Sequence, residues 1–172
     1  MNRISIDNIY LRPAEKGDAL FIQYLFGFKD ISDRCMIQEG WASDAAAFIE
    51  GMAQSNTNWI WIIEDSNCQP VGILMNYIAP CINGLPALWS SYAIMPKARK
   101  KHYAESALKS VPVLFESTPL TAMWEALLIA NDNIASEIVA QRAGFEKMNS
   151  GGGVMLDGSI TKDALWLKPI RR

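Results

Sequence analysis

The stretch Tyr92-Ala-Ile-Met-Pro-Lys-Ala-Arg-Lys-Lys-His-Tyr-Ala-Glu-Ser-Ala-Leu108 decides how this chain is read. Residues 87–95 are apolar and rich in strand formers, and Pro96 closes them. A short basic loop follows, carrying Lys97, Arg99, Lys100, Lys101 and His102. From Tyr103 to Glu116 the apolar spacing turns helical. The first amides of a helix have no intrahelical acceptor, and the helix dipole favours an anion beside them. A strand, a basic loop and a helix in this order therefore predict a cradle for a phosphate-bearing ligand. A bare cluster of this kind is more often a solvated basic turn, so the rest of the sequence has to decide between the two.

Upstream, Ile4–Leu11 reads as a strand stopped by Pro13. Leu20, Phe21, Tyr24, Leu25 and Phe28 recur at helical spacing behind Asp18, and a second helix follows Ser43 through Phe48, Ile49 and Met52. No period is visible from Lys29 to Gly40. Trp59–Glu64 and Val71–Ile78 flank the turn residues Asp65–Pro70 and predict an antiparallel hairpin. Downstream, Pro112 predicts a kink or an early end to the helix that starts at Tyr103, because proline removes a helical hydrogen bond. Residues 121–130 read as a strand. Asn133–Ala143 reads as a helix with Asp132 or Asn133 as its cap and Gly144 as terminator. Glu146–Asn149 and Ala164–Lys168 close the chain as strands, joined through Ser150-Gly-Gly-Gly153.

Half of the 172 residues are apolar and a fifth are charged, the balance of a folded domain, and no linker or repeat divides residues 1–172. A net charge of −2 argues against broad binding to nucleic acid or to an anionic membrane. One histidine and three scattered cysteines give neither a zinc site nor a disulfide framework, so no metal is expected. The N-terminus has no apolar leader and no long apolar run follows, so the expectation is a cytoplasmic protein.

The decisive stretch resembles the pyrophosphate loop of the GNAT N-acetyltransferases, and most of all the branch that acetylates ribosomal-protein N-termini. Members carry Tyr-x-Ile-x-Pro, then Arg-x-x-Gly-x-Ala, then a helix. Tyr92, Ile94, Pro96, Arg99 and Ala104 fall in register with that pattern. Asn133-Ile-Ala-Ser136, followed by Ala143-Gly-Phe145, resembles the family's Asn-x-x-Ser…Gly-Phe signature. Ile9-Tyr-Leu-Arg-Pro-Ala14 with Asp18 resembles its opening strand and first helix. Two positions depart from the pattern: His102 stands where the family has glycine, and Lys100 where glycine is frequent.

The resemblance implies an α/β (α+β) fold with a mixed, mostly antiparallel central sheet of six to seven strands and helices on both faces. It implies an acyl-CoA-dependent N-acyltransferase that moves acetyl from acetyl-CoA to a primary amine, on a small molecule or a protein N-terminus, by direct attack. Ala93, Ile94, Arg99, Lys100, Lys101, His102, Tyr103, Ala104 and Asn133 would bind the cofactor. Ser136 would be a candidate proton donor to the leaving thiolate. Relatives often carry a glutamate near the start of the third strand, where this chain has Trp89-Ser-Ser91, so Glu125 on the next strand is the candidate base. The tyrosine acid of other branches falls at Ala140. Trp41 and Trp89 would border the acceptor, and relatives often pair as homodimers. The missing glutamate and His102 keep a second reading open: a module of the same fold that binds acyl-CoA or a protein partner without catalysis.

Overall fold

The structure, a computed structural model, describes residues 3–34, 43–80, 85–116, 122, 124–148, 153–154, 160–161 and 163–170. The strands are β1 (Ile4–Ile6), β2 (Ile9–Pro13), β3 (Asn58–Glu64), β4 (Pro70–Pro80), β5 (Pro86–Ile94), β6 (Trp124–Ile129), β7 (Glu146–Lys147), β8 (Gly153–Val154), β9 (Ile160–Thr161) and β10 (Ala164–Pro169). The helices are α1 (Ala19–Phe26), α2 (Lys29–Ser32), α3 (Ala45–Gln54), α4 (Tyr103–Leu114) and α5 (Ile134–Arg142). Eight strands form one mixed, mostly antiparallel sheet in the order β1-β2-β3-β4-β5-β6-β10-β7, and β8 pairs with β9. The sheet exceeds the expected six to seven strands because Asp7 and Asn8 make a turn inside the first predicted strand, with Ile6 opposite Ile9. Five residues join β3 to its neighbour β4, which forces the expected hairpin, since a parallel crossover needs a dozen or more.

The chain divides into two compact units, Met1–Asn76 with Ser91–Ala107, and Tyr77–Ser90 with Leu108–Arg172. In the first, α1 packs on α3 and α3 on β3. The period of α1 is as expected, but the face is not. Ile22, Leu25 and Phe26 are buried, whereas Leu20 and Tyr24 point to solvent. Helix α3 is capped by Asp44, whose Oδ1 accepts from Ala47 N at 3.0 Å, and not by Ser43. Its buried face is Ala45, Phe48 and Ile49. The 35–40 part of the aperiodic stretch and Trp41 lie outside the described residues.

One guanidinium ties this unit together. Arg12 on β2 forks onto Asp18, with Nη1–Oδ2 and Nη2–Oδ1 both at 2.7 Å, and its Nε donates to Glu64 Oε1 on β3 at 2.8 Å. Asp18 Oδ2 also accepts from Glu15 N at 2.8 Å, which sets the turn that starts α1. Burial pushes the Asp18 carboxyl up, but the Arg12 fork and the Glu15 amide outweigh it and hold the group below the usual carboxylate range.

In the second unit, β5 and β6 run parallel over Ala87–Trp89 and Trp124–Ala126. β10 is antiparallel to β6 from Ala164 opposite Ile129 to Pro169 opposite Trp124. Ala87, Ala126 and Leu165 form a buried cluster against which Trp89, Leu128 and Leu167 pack. Helix α5 ends as the sequence requires. Gly144 takes φ 89°, its N–H donates to Gln141 O, and Phe145 N donates to Ala140 O, the paired bonds of a Schellman cap. Helix α4 carries Pro112 inside it and ends two residues later, at Leu114.

Asp18→Asn removes the charge that the Arg12 fork holds. The substitution should lower the unfolding free energy by about 2 kcal/mol near neutral pH, read by urea titration. A carboxyl whose folded pKa is depressed contributes stability above its unfolded value, and this is lost as pH falls through the folded one. The stability of the wild type should therefore drop below about pH 4 by an increment that the variant lacks.

Candidate functional site

The end of β5 is held from beneath by β4. Met95 N donates to Val71 O at 2.9 Å. A Cβ on Gly72 would collide with Ala93 O and lie 2.7 Å from Ile94 Cδ1, so only glycine lets the two backbones come this close. Ala93 and Ile94 are both buried, which leaves main-chain groups as their means of touching a ligand. A short 3-10 turn, Pro96–Ala98, then carries the chain into the loop.

The loop keeps the glycine conformation without glycine. Lys100 and His102 adopt φ of 63° and 62°. Each costs about 1 kcal/mol relative to glycine, and histidine tolerates the region better than β-branched residues do. Local bonds hold the shape. His102 O accepts from Ser106 N at 3.0 Å, and His102 Nδ1 lies 2.9 Å from Glu105 Oε2, a side chain in the first turn of α4. Asn8 Nδ2 donates to Lys101 O at 2.9 Å. Ser106 Oγ lies 3.1 Å from Asp7 Oδ2 and 3.3 Å from Asn8 Oδ1.

The basic side chains are not equivalent. Arg99 Nη1 pairs with Asp30 Oδ2 at 2.6 Å and its Nε donates to Ile94 O at 3.2 Å, so this guanidinium braces the loop against α2 and β5. Lys97, Lys100 and Lys101 are exposed, and among the described residues their ammonium groups have no ion-pair partner. Tyr103 and Ala104 are buried, so their side chains belong to the core and their amides are what the start of α4 can offer. The structure thus brings Ala93, Ile94, Arg99, Lys100, Lys101, His102, Tyr103 and Ala104 together in the first unit. Sequence reasoning missed Asn8, Asp7, Asp30, Glu105 and Ser106 around them. The Asp7-Asn8 pair is turn chemistry, and it was readable inside the predicted strand.

The remaining predicted residues belong to the second unit. Asn133 caps α5, its Oδ1 accepting from Ser136 N at 3.3 Å, so one side of its amide is committed to the helix. Ser136 is half-buried in the first turn, and Ala140, where other branches have tyrosine, is fully buried. Trp89 stacks on Tyr77 with ring centroids 6.4 Å apart.

Glu125, expected at a strand end open to a cleft or to solvent, is instead completely buried. Ser90 Oγ donates to its Oε1 at 2.7 Å, and Lys168 Nζ lies 2.7 Å from Oε2. Burial raises its pKa, opposed by Lys168 and Ser90. The reason is register: Lys168 on β10 stands directly opposite Glu125 on β6. Lys168 Nζ also donates to Leu108 O at 3.0 Å and sits 4.5 Å from the centroid of the Phe145 ring. Leu108 O is the acceptor that residue 112 would use in an unbroken helix, and Pro112 has no N–H to give. Lysine supplies the missing donor.

No protein-family model matches the chain by sequence, and no curated protein matches it. Solved structures do match. A spermidine N-acetyltransferase from Vibrio cholerae, in complex with CoA and spermine, superposes with a TM-score of 0.75 at 16% identity over 94% of this chain and 95% of its own. A GNAT-family acetyltransferase from Bacillus anthracis gives 0.76 at 12% identity over 99% and 100%. RimL, a ribosomal-protein alpha-N-acetyltransferase in complex with coenzyme A, gives 0.76 at 16% identity over 98% of each chain. The chain has the GNAT acetyltransferase fold.

Two outcomes test this geometry. Lys100→Gly and His102→Gly should each raise the unfolding free energy by about 0.5–1 kcal/mol in urea titrations, because each relieves a positive φ. Lys168→Met strands the Glu125 carboxylate and should cost about 3 kcal/mol at slightly alkaline pH. Without the lysine the Glu125 pKa rises further, so the folded variant binds a proton that the unfolded chain has already released. Between the ordinary carboxylate value and that raised value, the variant's stability should increase as pH falls.

Proposed function

We propose that the chain is an acyl-CoA-dependent N-acyltransferase that moves acetyl from acetyl-CoA to a primary amine. The observation that carries this reading is the loop between β5 and α4, which holds positive φ at Lys100 and His102 although neither is glycine. Positive φ is the backbone conformation from which anion-binding nests are built, and here it stands ahead of a helix N-terminus and beside three exposed lysines. The fold supports the reaction class, and the relatives named above act on amines: spermidine in one case, a protein N-terminus in another.

In the proposed reaction the amine nitrogen attacks the thioester carbonyl carbon, forming a C–N bond and a tetrahedral oxyanion. The main chain at Ala93 and Ile94 is the proposed donor to that oxygen. The C–S bond then breaks and the thiolate takes a proton, for which Ser136 is the candidate donor. Lys97, Lys100, Lys101 and the amides of His102, Tyr103 and Ala104 are the proposed diphosphate ligands, with Arg99 as a brace behind them. Asn133 retains its amide NH2 for the cofactor. The proton lost by the amine is assigned to water. A fully buried carboxylate engaged by Ser90 on one oxygen and by Lys168 on the other is poorly placed to accept it directly, which counts against Glu125.

The same burial of Glu125, with Ser90 and Ser91 where relatives carry a glutamate, favours the second reading, a module that binds acyl-CoA without transferring the acyl group. Millimolar acetyl-CoA should raise the melting temperature by about 5–10 °C if it stands near a hundredfold above Kd. No shift with acetyl-CoA or CoA overturns both readings. Thiol release from acetyl-CoA over a panel of polyamines and peptides with free N-termini identifies the enzyme; binding without release identifies the module. Replacing Lys100 and Lys101 by alanine should weaken CoA about tenfold, and more at low salt.

A further inference from the structure

A loop that holds two non-glycine residues at positive φ needs an external restraint, and the structure supplies one from the far end of the sequence. β1 and β2 are joined by two residues, Asp7 and Asn8, with Ile6 opposite Ile9. Asp7 itself has φ 50°, as tight hairpin turns require. The tip of this hairpin makes one contact with the loop and two with the first turn of α4. Asn8 Nδ2 donates to the carbonyl of Lys101, the residue between Lys100 and His102, at 2.9 Å. Ser106, one turn into α4 and buried, points its hydroxyl at Asp7 Oδ2 and Asn8 Oδ1 at 3.1 and 3.3 Å. That hydroxyl fixes which end of the Asn8 amide faces the loop.

We propose that Asn8 is a positioning residue for the acyl-CoA phosphates, clamping the Lys101–His102 peptide so that Lys100 and His102 keep the conformation glycine would otherwise supply. The inference rests on the acyl-CoA reading above. Its logic is geometric. The peptide between Lys101 and His102 is planar and trans, so its carbonyl and its N–H point in opposite directions. Anchoring the oxygen on Asn8 aims the His102 N–H away from the hairpin and restricts φ of His102. A glycine at either position needs no such anchor. The family's glycine and this chain's asparagine are then two solutions to one problem, and they should not add.

The test compares Asn8→Ala in the natural background with the same change beside Lys100→Gly and His102→Gly. The backbone is read by the intraresidue HN–Hα NOE of Lys100 and His102, which is strong when φ is positive. Asn8→Ala should weaken it in the free protein, and an unchanged NOE overturns the clamp whether or not CoA binds. In calorimetric titration Asn8→Ala should raise the Kd for CoA about fivefold in the natural background, and less than twofold beside the two glycines. KM for acetyl-CoA should rise while kcat is retained. Equal losses in both backgrounds, or a loss confined to kcat, overturn the proposal. If the natural protein binds neither CoA nor acetyl-CoA, the acyl-CoA reading fails and the phosphate role of Asn8 fails with it. The NOE still reports separately whether the clamp exists.

Discussion

The second unit is organised around one ammonium group. Lys168 is nearly buried, and a cation in that position is tolerable only if its donors are all spent. It spends them on the Glu125 carboxylate, on the Leu108 carbonyl and against the face of the Phe145 ring. Each of these partners has its own reason to need it. Glu125 is a fully buried carboxyl group. Leu108 O has lost its helical donor to Pro112. Phe145 is delivered by the Schellman turn at Gly144. β6, β10, α4 and the end of α5 therefore meet at a single charge, and none of the features that meet there is independent of the others. Pro112, which looks like a defect in α4, is accommodated because a lysine from β10 completes the helix.

The first unit solves the same kind of problem with a different cation. Arg12 joins β2, β3 and the start of α1 through a planar fork, two bonds to Asp18 and one to Glu64. Arginine suits this place because its donors are fixed in one plane and matched to a carboxylate, whereas the Lys168 site asks one point charge to serve three directions. Arg99 repeats the device at smaller scale, tying the loop to Asp30 and to the Ile94 carbonyl. Arg99, read from the sequence as a cofactor ligand, is engaged within the fold by Asp30 and the Ile94 carbonyl.

What could be read from the sequence was what short-range chemistry decides. Pro96, the run of cations and the helical spacing after Tyr103 gave the strand, loop and helix. Asn133 and Gly144 gave both ends of α5. What could not be read depends on partners distant in the chain. The exposed and buried faces of α1 are both apolar, so periodicity could not tell Leu20 and Tyr24 from Ile22 and Phe26. Glu125 was the candidate base because nothing near it in sequence announces Lys168. Asp44 and Ser43 are both good caps, and only the path of the chain chose between them. The extra strand came from treating Asp7-Asn8 as part of a run when each residue favours a turn.

His102 illustrates the most consequential of these limits. Read against the family pattern, a histidine in place of glycine marks a damaged loop, because residue type is being used as a proxy for conformation. The conformation is what binding depends on, and contacts from outside the loop can impose it. Both Lys100 and His102 hold positive φ although neither is glycine. Side chains also narrow the ensemble of the free loop more than glycine does, so less ordering remains to be done when a ligand arrives. The substitution therefore exchanges one cost for another. The positive φ at Lys100 and His102 is offset by contacts of Asn8, Ser106 and Glu105, and under the proposed function the return is a preorganised and more strongly charged cradle.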